Sequence, residues 1–183
     1  MKTREITQVA LFAAIMGALG LLPPIFLSFT PVPITLQTIG VLLAGGMLGA
    51  RLGAISQIVF LLLVAIGLPL LSGGRGGLGV FVGPSAGFLL SYPITAFVIG
   101  YIQSNFKKLR IGHVLATNLT IGIFLIYLFG IPVQAFVMKL DLLIVAKLSL
   151  VYLPGDIIKA TLASFLIVKL QNYPIFNQKL LSS

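Results

Sequence analysis

Long apolar runs alternate with short polar or proline- and glycine-rich breaks along the whole chain. The runs fall at about residues 6 to 22, 34 to 50, 54 to 71, 85 to 103, 112 to 129 and 153 to 170. Each approaches the roughly 20 residues a helix needs to cross a hydrocarbon core. The breaks are Pro23-Pro24, Thr30-Pro31-Val32-Pro33, a glycine-rich stretch at 72 to 88, Lys107-Lys108-Leu109-Arg110, and a long connector after Gly130. This pattern predicts a bundle of six transmembrane helices, and an even number returns both termini to one side.

Composition supports a membrane protein. Of 183 residues 58% are hydrophobic and 8% charged, with a mean hydropathy of +1.15, too apolar for a soluble domain. The expectation is an all-α, polytopic membrane protein whose residues 1 to 183 form a single domain. The opening MKTREITQVALFAAIMGALGLL has the look of a signal peptide, but its apolar run is long enough to span and further spans follow, so it reads as the first transmembrane helix. There is no cysteine, which removes disulfides and thiolate metal sites.

The net charge of +9 is placed at the ends of apolar runs, not in a stripe interleaved with aromatics, and so does not point to nucleic acid. It orients the bundle instead. With the N-terminus inside, Lys2, Arg4, Arg51, Lys107, Lys108, Arg110, Lys169 and Lys179 lie at cytoplasmic ends or loops, and the outer loops hold Arg75, Lys139 and Lys147. Both termini are then cytoplasmic and the protein belongs to the cell membrane. Pro23 to Pro33, the glycine-rich stretch and the connector from Gly130 to Leu153 face outward.

Gly74, Gly76 and Gly79 spell G-x-G-x-x-G, yet no βαβ pattern surrounds them and no acidic residue follows at a suitable spacing. No Gly-Lys-Ser or Gly-Lys-Thr occurs, so the chain carries no ATP-binding loop of that type. Two readings of the stretch stand side by side: a flexible re-entrant connection, or bare backbone that approaches a ligand.

Charge at membrane depth is the sharper signal. Asp156 and Lys159 share a helix face at the outer start of the last run, where charges are expensive unless paired or turned to a cavity. A self-satisfying ion pair is one reading; a ligand site is favoured, because the only other acidic residues, Glu5 and Asp141, lie near segment ends or in a connector. Thr35, Gln37, Arg75, Ser85, Ser91, Tyr92 and Tyr152 converge on the same outer side. Gln37 or Ser91 alone can equally bond a neighbouring helix. Ala10, Ala14 and Ala18 form a flat ridge, and Gly45, Gly49 and Gly53 a second small-residue series; both suit packing inside the bundle. His113, the sole histidine, falls at the cytoplasmic end, opposite the outer serines, and paired intramembrane aspartates are absent, so catalysis is not expected. A stand-alone facilitator or secondary transporter is the closer rival, although residues 1 to 90 and 91 to 183 show no convincing internal repeat.

At this point the residues resemble a family. Thr30-Pro31-Val32-Pro33-Ile34-Thr35-Leu36-Gln37-Thr38, followed by Gly40 to Gly45 and Leu48-Gly49, is similar to the first outer loop and second helix of BioY proteins, the biotin-specific S components of energy-coupling factor (ECF) transporters. Gly67-Leu68-Pro69, Gly73 to Gly79 and Gly83-Pro84-Ser85-Ala86-Gly87-Phe88 resemble that family's third-loop signature, and Pro154-Gly155-Asp156-Ile157-Ile158-Lys159 its final one. Ala86-Gly87 stands where members often have two glycines.

The resemblance implies a subunit that captures biotin from outside with high affinity and docks on one T component and two cytoplasmic ATPases, with no cofactor and no metal. It shifts the Ala10, Ala14, Ala18 ridge from internal packing to partner docking. It also makes Asp156 an acceptor for a ureido N–H and Lys159 a donor to the ureido carbonyl or the valerate carboxylate. Tyr92 and Tyr152 would flank the apolar parts of biotin, with Gln37, Thr35, Arg75 and Ser85 completing the pocket. Gly79 and Gly83 would let the outer loop close over the ligand.

Overall fold

The computed structural model describes residues 1–106 and 108–171; of the basic residues used for orientation, Lys107 and Lys179 lie outside the described residues. The elements are α1 (Thr3–Gly20), β1 (Ile25–Leu27), β2 (Thr30–Ile34), α2 (Gln37–Ala65), α3 (Ala86–Ser104), α4 (Ile111–Thr117), α5 (Ile123–Met138), α6 (Leu142–Ser149) and α7 (Leu153–Leu170). A π turn, Asn118–Gly122, joins α4 to α5 without a break. Among the described residues, four helical stretches are long and apolar enough to cross a membrane: Gln37–Ala65, Ala86–Ser104, Ile111–Met138 and Leu142–Leu170.

The second and third apolar runs form one helical stretch that folds back on itself at Gly49. That residue sits at φ 78°, ψ −177°, a backbone position open to glycine and strained for other residues. A side-chain carbon on Gly53 would lie 2.8 Å from the Ala44 carbonyl oxygen. In a straight helix those residues would stand about 13 Å apart along the axis, so the limb 50–65 runs back beside the limb 37–48. The helix also stops at Ala65, short of the predicted 71; residues 66–71 instead lead through Gly67, at φ 104°, into a bridge between Leu71 and Arg75.

The first outer segment departs locally from the all-α expectation. β1 and β2 pair antiparallel, with Ile25 opposite Ile34 and Leu27 opposite Thr30. Pro31 and Pro33 remove amide donors that a helix interior needs but an edge strand can lack. The fifth run continues beyond 129 to Met138, through Gly130 and Pro132, and the connector after it carries the short helix α6.

Small residues let the helices approach closely. Gly45 of the first α2 limb faces Ala96 and Ile99 of α3, and Gly100 of α3 lies against the backbone of Gly49 and Ala50. The Gly45, Gly49, Gly53 series thus serves packing within the bundle. Met16, Val41, Phe60, Val64, Tyr92 and Ala96 fill one core cluster; Phe12, Met47, Leu48, Val114 and Ile167 fill another toward the opposite end. Leu11, Leu62, Leu90, Phe97, Phe124 and Phe165 stay exposed on the outside, as expected of surface that meets lipid tails.

Polar charge is sorted between the ends. Gln171, two residues after Lys169, donates to the Leu109 carbonyl at 3.0 Å, which places Lys108, Arg110 and Lys169 together. Arg51 follows the Gly49 reversal at that same end, where Leu109 and Leu170 pack against the cluster of Met47 and Leu48. α1 starts there too, because Phe12 joins that cluster and Gly20 reaches Leu70 and Gln37 at the other end. The hairpin, Arg75 and the start of α7 occupy that other end.

Candidate functional site

The site is built around the first turn of α7. Pro154 fits the start of the helix, where its missing N–H costs no hydrogen bond, and the helix then sets Asp156 and Lys159 on one face. The Lys159 ammonium donates to Asp156 Oδ1 at 2.7 Å, with the two side chains 7% and 12% exposed. Tyr127 of α5 donates to the other carboxylate oxygen, Oδ2, at 2.6 Å. Both oxygens of a nearly buried carboxylate are therefore engaged, which is what burial of an ion pair demands.

This cluster lines a cavity together with Thr35, Gln37, Thr38, Arg75, Ser85, Tyr92 and Tyr152 and the apolar walls Leu71, Phe88, Leu89 and Ile126. A few convergent polar groups set among apolar and aromatic walls are the mixture expected of a small-molecule site. The Gln37 amide nitrogen donates to the carbonyls of Met16 at 3.1 Å and Leu70 at 3.0 Å. Both partners are acceptors, so the amide orientation is fixed and its oxygen is left as the acceptor. The Arg75 Nε donates to the Ser72 carbonyl at 3.2 Å, and among the described residues no carboxylate pairs with its guanidinium.

The hairpin closes one side of the cavity through a chain of hydrogen bonds. Tyr152 donates its hydroxyl hydrogen to the Val32 carbonyl at 3.0 Å, so the 2.5 Å contact between Thr30 and Tyr152 has Thr30 as donor. The Gln134 amide of α5 in turn donates to Thr30 Oγ1 at 3.4 Å. Tyr152→Phe removes the centre of this chain and is expected to cost about 1 to 2 kcal/mol. Hydrogen-exchange mass spectrometry will show faster exchange at the amides of residues 25–34, with α3 unchanged.

Thr35, Gln37, Arg75, Ser85, Tyr92, Tyr152, Asp156 and Lys159 thus share one cavity. Gly79 and Gly83 do not line it. Gly79 sits in the 3₁₀ turn Leu78–Phe81, where a side-chain carbon would meet nothing within 4 Å, so close backbone approach is not what the structure requires of glycine there. Ser91 also lies off the cavity: its hydroxyl donates to the Phe88 carbonyl at 2.6 Å inside α3. Ala10, Ala14 and Ala18 are exposed along α1. Sequence reasoning missed Tyr127, Phe88 and Thr38. A lone tyrosine in the aliphatic stretch ending at Gly130 was the one available signal for Tyr127. No group of three or more His, Cys, Asp or Glu able to hold a metal occurs among the described residues, and His113 stacks on Phe106 with ring centroids 4.4 Å apart.

Comparison with known proteins gives this geometry a context. A model of the BioY family matches residues 1–174. The probable biotin transporter BioY of Bacillus subtilis is 52% identical over 170 residues, covering 93% of this chain and 91% of the relative. The biotin transporter BioY of Rhizobium etli is 49% identical over 174 residues, covering 91% and 92%. The solved structure of an S-component for biotin from an ECF-type ABC transporter superposes with a TM-score of 0.91 at 36% identity, covering 97% of this chain and 95% of that one. These relatives are transporters rather than enzymes, and the apolar helices agree with a multi-pass protein of the cell membrane. Matched along nearly its whole length in sequence and in fold, the chain belongs to the BioY family.

Proposed function

We propose that this chain is the biotin-capturing S component of an ECF transporter, a single membrane domain crossing the bilayer six times. The crossings are α1, the two limbs of α2, α3, the continuous α4 to α5 stretch, and α7. Excess basic residues at the end opposite the cavity support an orientation with both termini in the cytoplasm and the cavity mouth outside.

The observation that carries the ligand assignment is the separation of charge in the cavity. Asp156 and Lys159 form a neutral pair with a donor and an acceptor, suited to the uncharged ureido ring: the carboxylate accepts from N–H and the ammonium donates to the carbonyl oxygen. Arg75 brings a guanidinium with no carboxylate partner among the described residues, suited to the valerate carboxylate. Phe88, Tyr92 and Tyr152 supply ring-sized apolar surface between them. The decisive experiment is titration of biotin into the purified, ligand-free chain in detergent, with thiamine and riboflavin as controls. One tight, biotin-selective site per chain is the expected result; a folded chain that binds none of the three would overturn the assignment.

Energy must come from outside the chain, since the sequence has no ATP-binding loop of the Gly-Lys-Ser/Thr type. The exposed Ala10, Ala14, Ala18 ridge offers a flat face to a helix of the T component, which two cytoplasmic ATPases would drive. Ala14→Leu is expected to reduce co-purification with the T component by on the order of tenfold, while the isolated chain keeps its biotin affinity within about twofold. A stand-alone facilitator would instead support biotin uptake in cells that lack every ECF partner.

A further inference from the structure

A second, much smaller chamber adjoins the main cavity, lined by Thr38, Leu42, Ile123, Ile126, Tyr127, Asp156 and Lys159. Four polar residues are shared by both chambers: Thr38, Tyr127, Asp156 and Lys159. Tyr127 and Lys159 each bond Asp156, which uses both of its oxygens. Thr38 stands apart, since its hydroxyl oxygen is shut off from solvent and has no hydrogen-bond partner.

The reason lies in its place in the chain. Most helical hydroxyls elsewhere among the described residues are satisfied by a carbonyl one turn back: Thr7, Thr117, Thr120, Ser149, Thr161 and Ser164 donate four residues back and Ser56, Ser91 and Ser104 three. Thr38 is the second residue of α2, and the residues three and four before it, Thr35 and Ile34, both precede the helix, Ile34 ending β2 opposite Ile25. No helical carbonyl is presented to it. A buried hydroxyl left unbonded costs about 1 to 3 kcal/mol. Thr95 is also unbonded, but it lines neither chamber. In a helix threonine divides between two χ1 wells, and exchange between them swaps its hydroxyl and methyl on the cavity wall.

We propose that Thr38 is a specificity-determining contact, its hydroxyl turning into the cavity to donate to the ureido carbonyl oxygen of bound biotin beside the Lys159 ammonium. The inference rests on the biotin reading above. It makes the pocket select a ring with a hydrogen-bond acceptor at that position, and it explains why the first turn of α2 leaves a hydroxyl uncommitted at the wall between the chambers.

The test measures dissociation constants of the purified full chain and its Thr38→Val and Thr38→Ser variants for biotin and for 2-iminobiotin, whose ring bears an N–H group in place of that oxygen. Thr38→Val is expected to weaken biotin by about tenfold and Thr38→Ser by less than about threefold. For 2-iminobiotin, the valine variant should match the parent chain within about twofold. Biotin affinity unchanged in Thr38→Val, or an equal loss for both ligands, would overturn the proposal, the second result marking a purely structural residue. Thr38→Ala, read in the same way, serves if the valine variant is recovered unfolded. Failure of the parent chain to bind biotin at all counts against the biotin reading itself, whereas binding that ignores Thr38 counts against this contact alone.

Discussion

Asp156→Asn is expected to weaken biotin binding by on the order of 100-fold or more. The substitution preserves the shape of the side chain and still offers Tyr127 an acceptor, but it leaves the Lys159 ammonium, 7% exposed, without its counter-charge. It also replaces one face of an ionised acceptor with an amide donor that opposes a ureido N–H. Loss of one member of a buried, hydrogen-bonded charge pair costs about 2 to 5 kcal/mol, which is the size of effect invoked. Calorimetric titration of folded, ligand-free protein gives the answer directly: an affinity within about threefold of the parent chain removes Asp156 from the ligand's contacts.

Gly100→Ala should destabilise the bundle by about 3 kcal/mol, at or above the upper end of ordinary overpacking. The added methyl would run into the backbone nitrogen of Ala50 and the carbonyl carbon of Gly49, at the reversal of α2. Backbone atoms at a turn have no rotamer to change, so the helices must separate. Heating the detergent-solubilised protein and following the folded fraction by size exclusion should show a midpoint lower by several degrees. Gly112→Ala is the control: at that position a side-chain carbon meets nothing within 4 Å, and the midpoint should stay put. Equal behaviour of the two variants would mean that the contact between α3 and the reversal is not tight.

How far the chain could be read from its residues depends on what kind of signal each feature leaves. The long helices were legible because hydropathy alone decides them, and Asp156 with Lys159 was legible because charges in an apolar run are anomalous. A reversal between the runs 34–50 and 54–71 was legible, but not the residue that makes it: Gly40, Gly45, Gly46, Gly49 and Gly53 crowd the same region, and nothing in their spacing singles out the one that adopts positive φ. The β-hairpin hid behind Thr30-Pro31-Val32-Pro33, which announces a break without saying what fills it. Gly79 and Gly83, expected to let the outer loop close over the ligand, lie off the cavity lining, and the glycines of that loop that use positive φ are Gly73, Gly74 and Gly77.

Tyr127 was hidden for a geometric reason. The π turn at Asn118–Gly122 inserts an extra residue into the helical stretch Ile111–Met138, which rotates everything after it relative to a 3.6-residue period. Which side chains of α5 face α7 therefore cannot be counted from its start. The turn is held in place by Asn118, whose amide donates to Ser164 of α7 at 2.9 Å, a contact that belongs to tertiary packing.

The reversal at Gly49 also bears on the membrane around the protein. At 1.5 Å per residue the limb 37–48 rises only about 18 Å, against a hydrocarbon layer of about 30 Å. The hairpin leads into that limb, and its tip region exposes Phe26 and Phe29 at 66% and 52%. Unpaired strand edges are not tolerated among acyl chains, so a limb this short calls for a locally thinner bilayer, at a cost of a fraction of a kcal/mol per ångström of mismatch. The hairpin also holds Tyr152 at the cavity, so the thickness of the surrounding bilayer bears mechanically on the segment that closes the site.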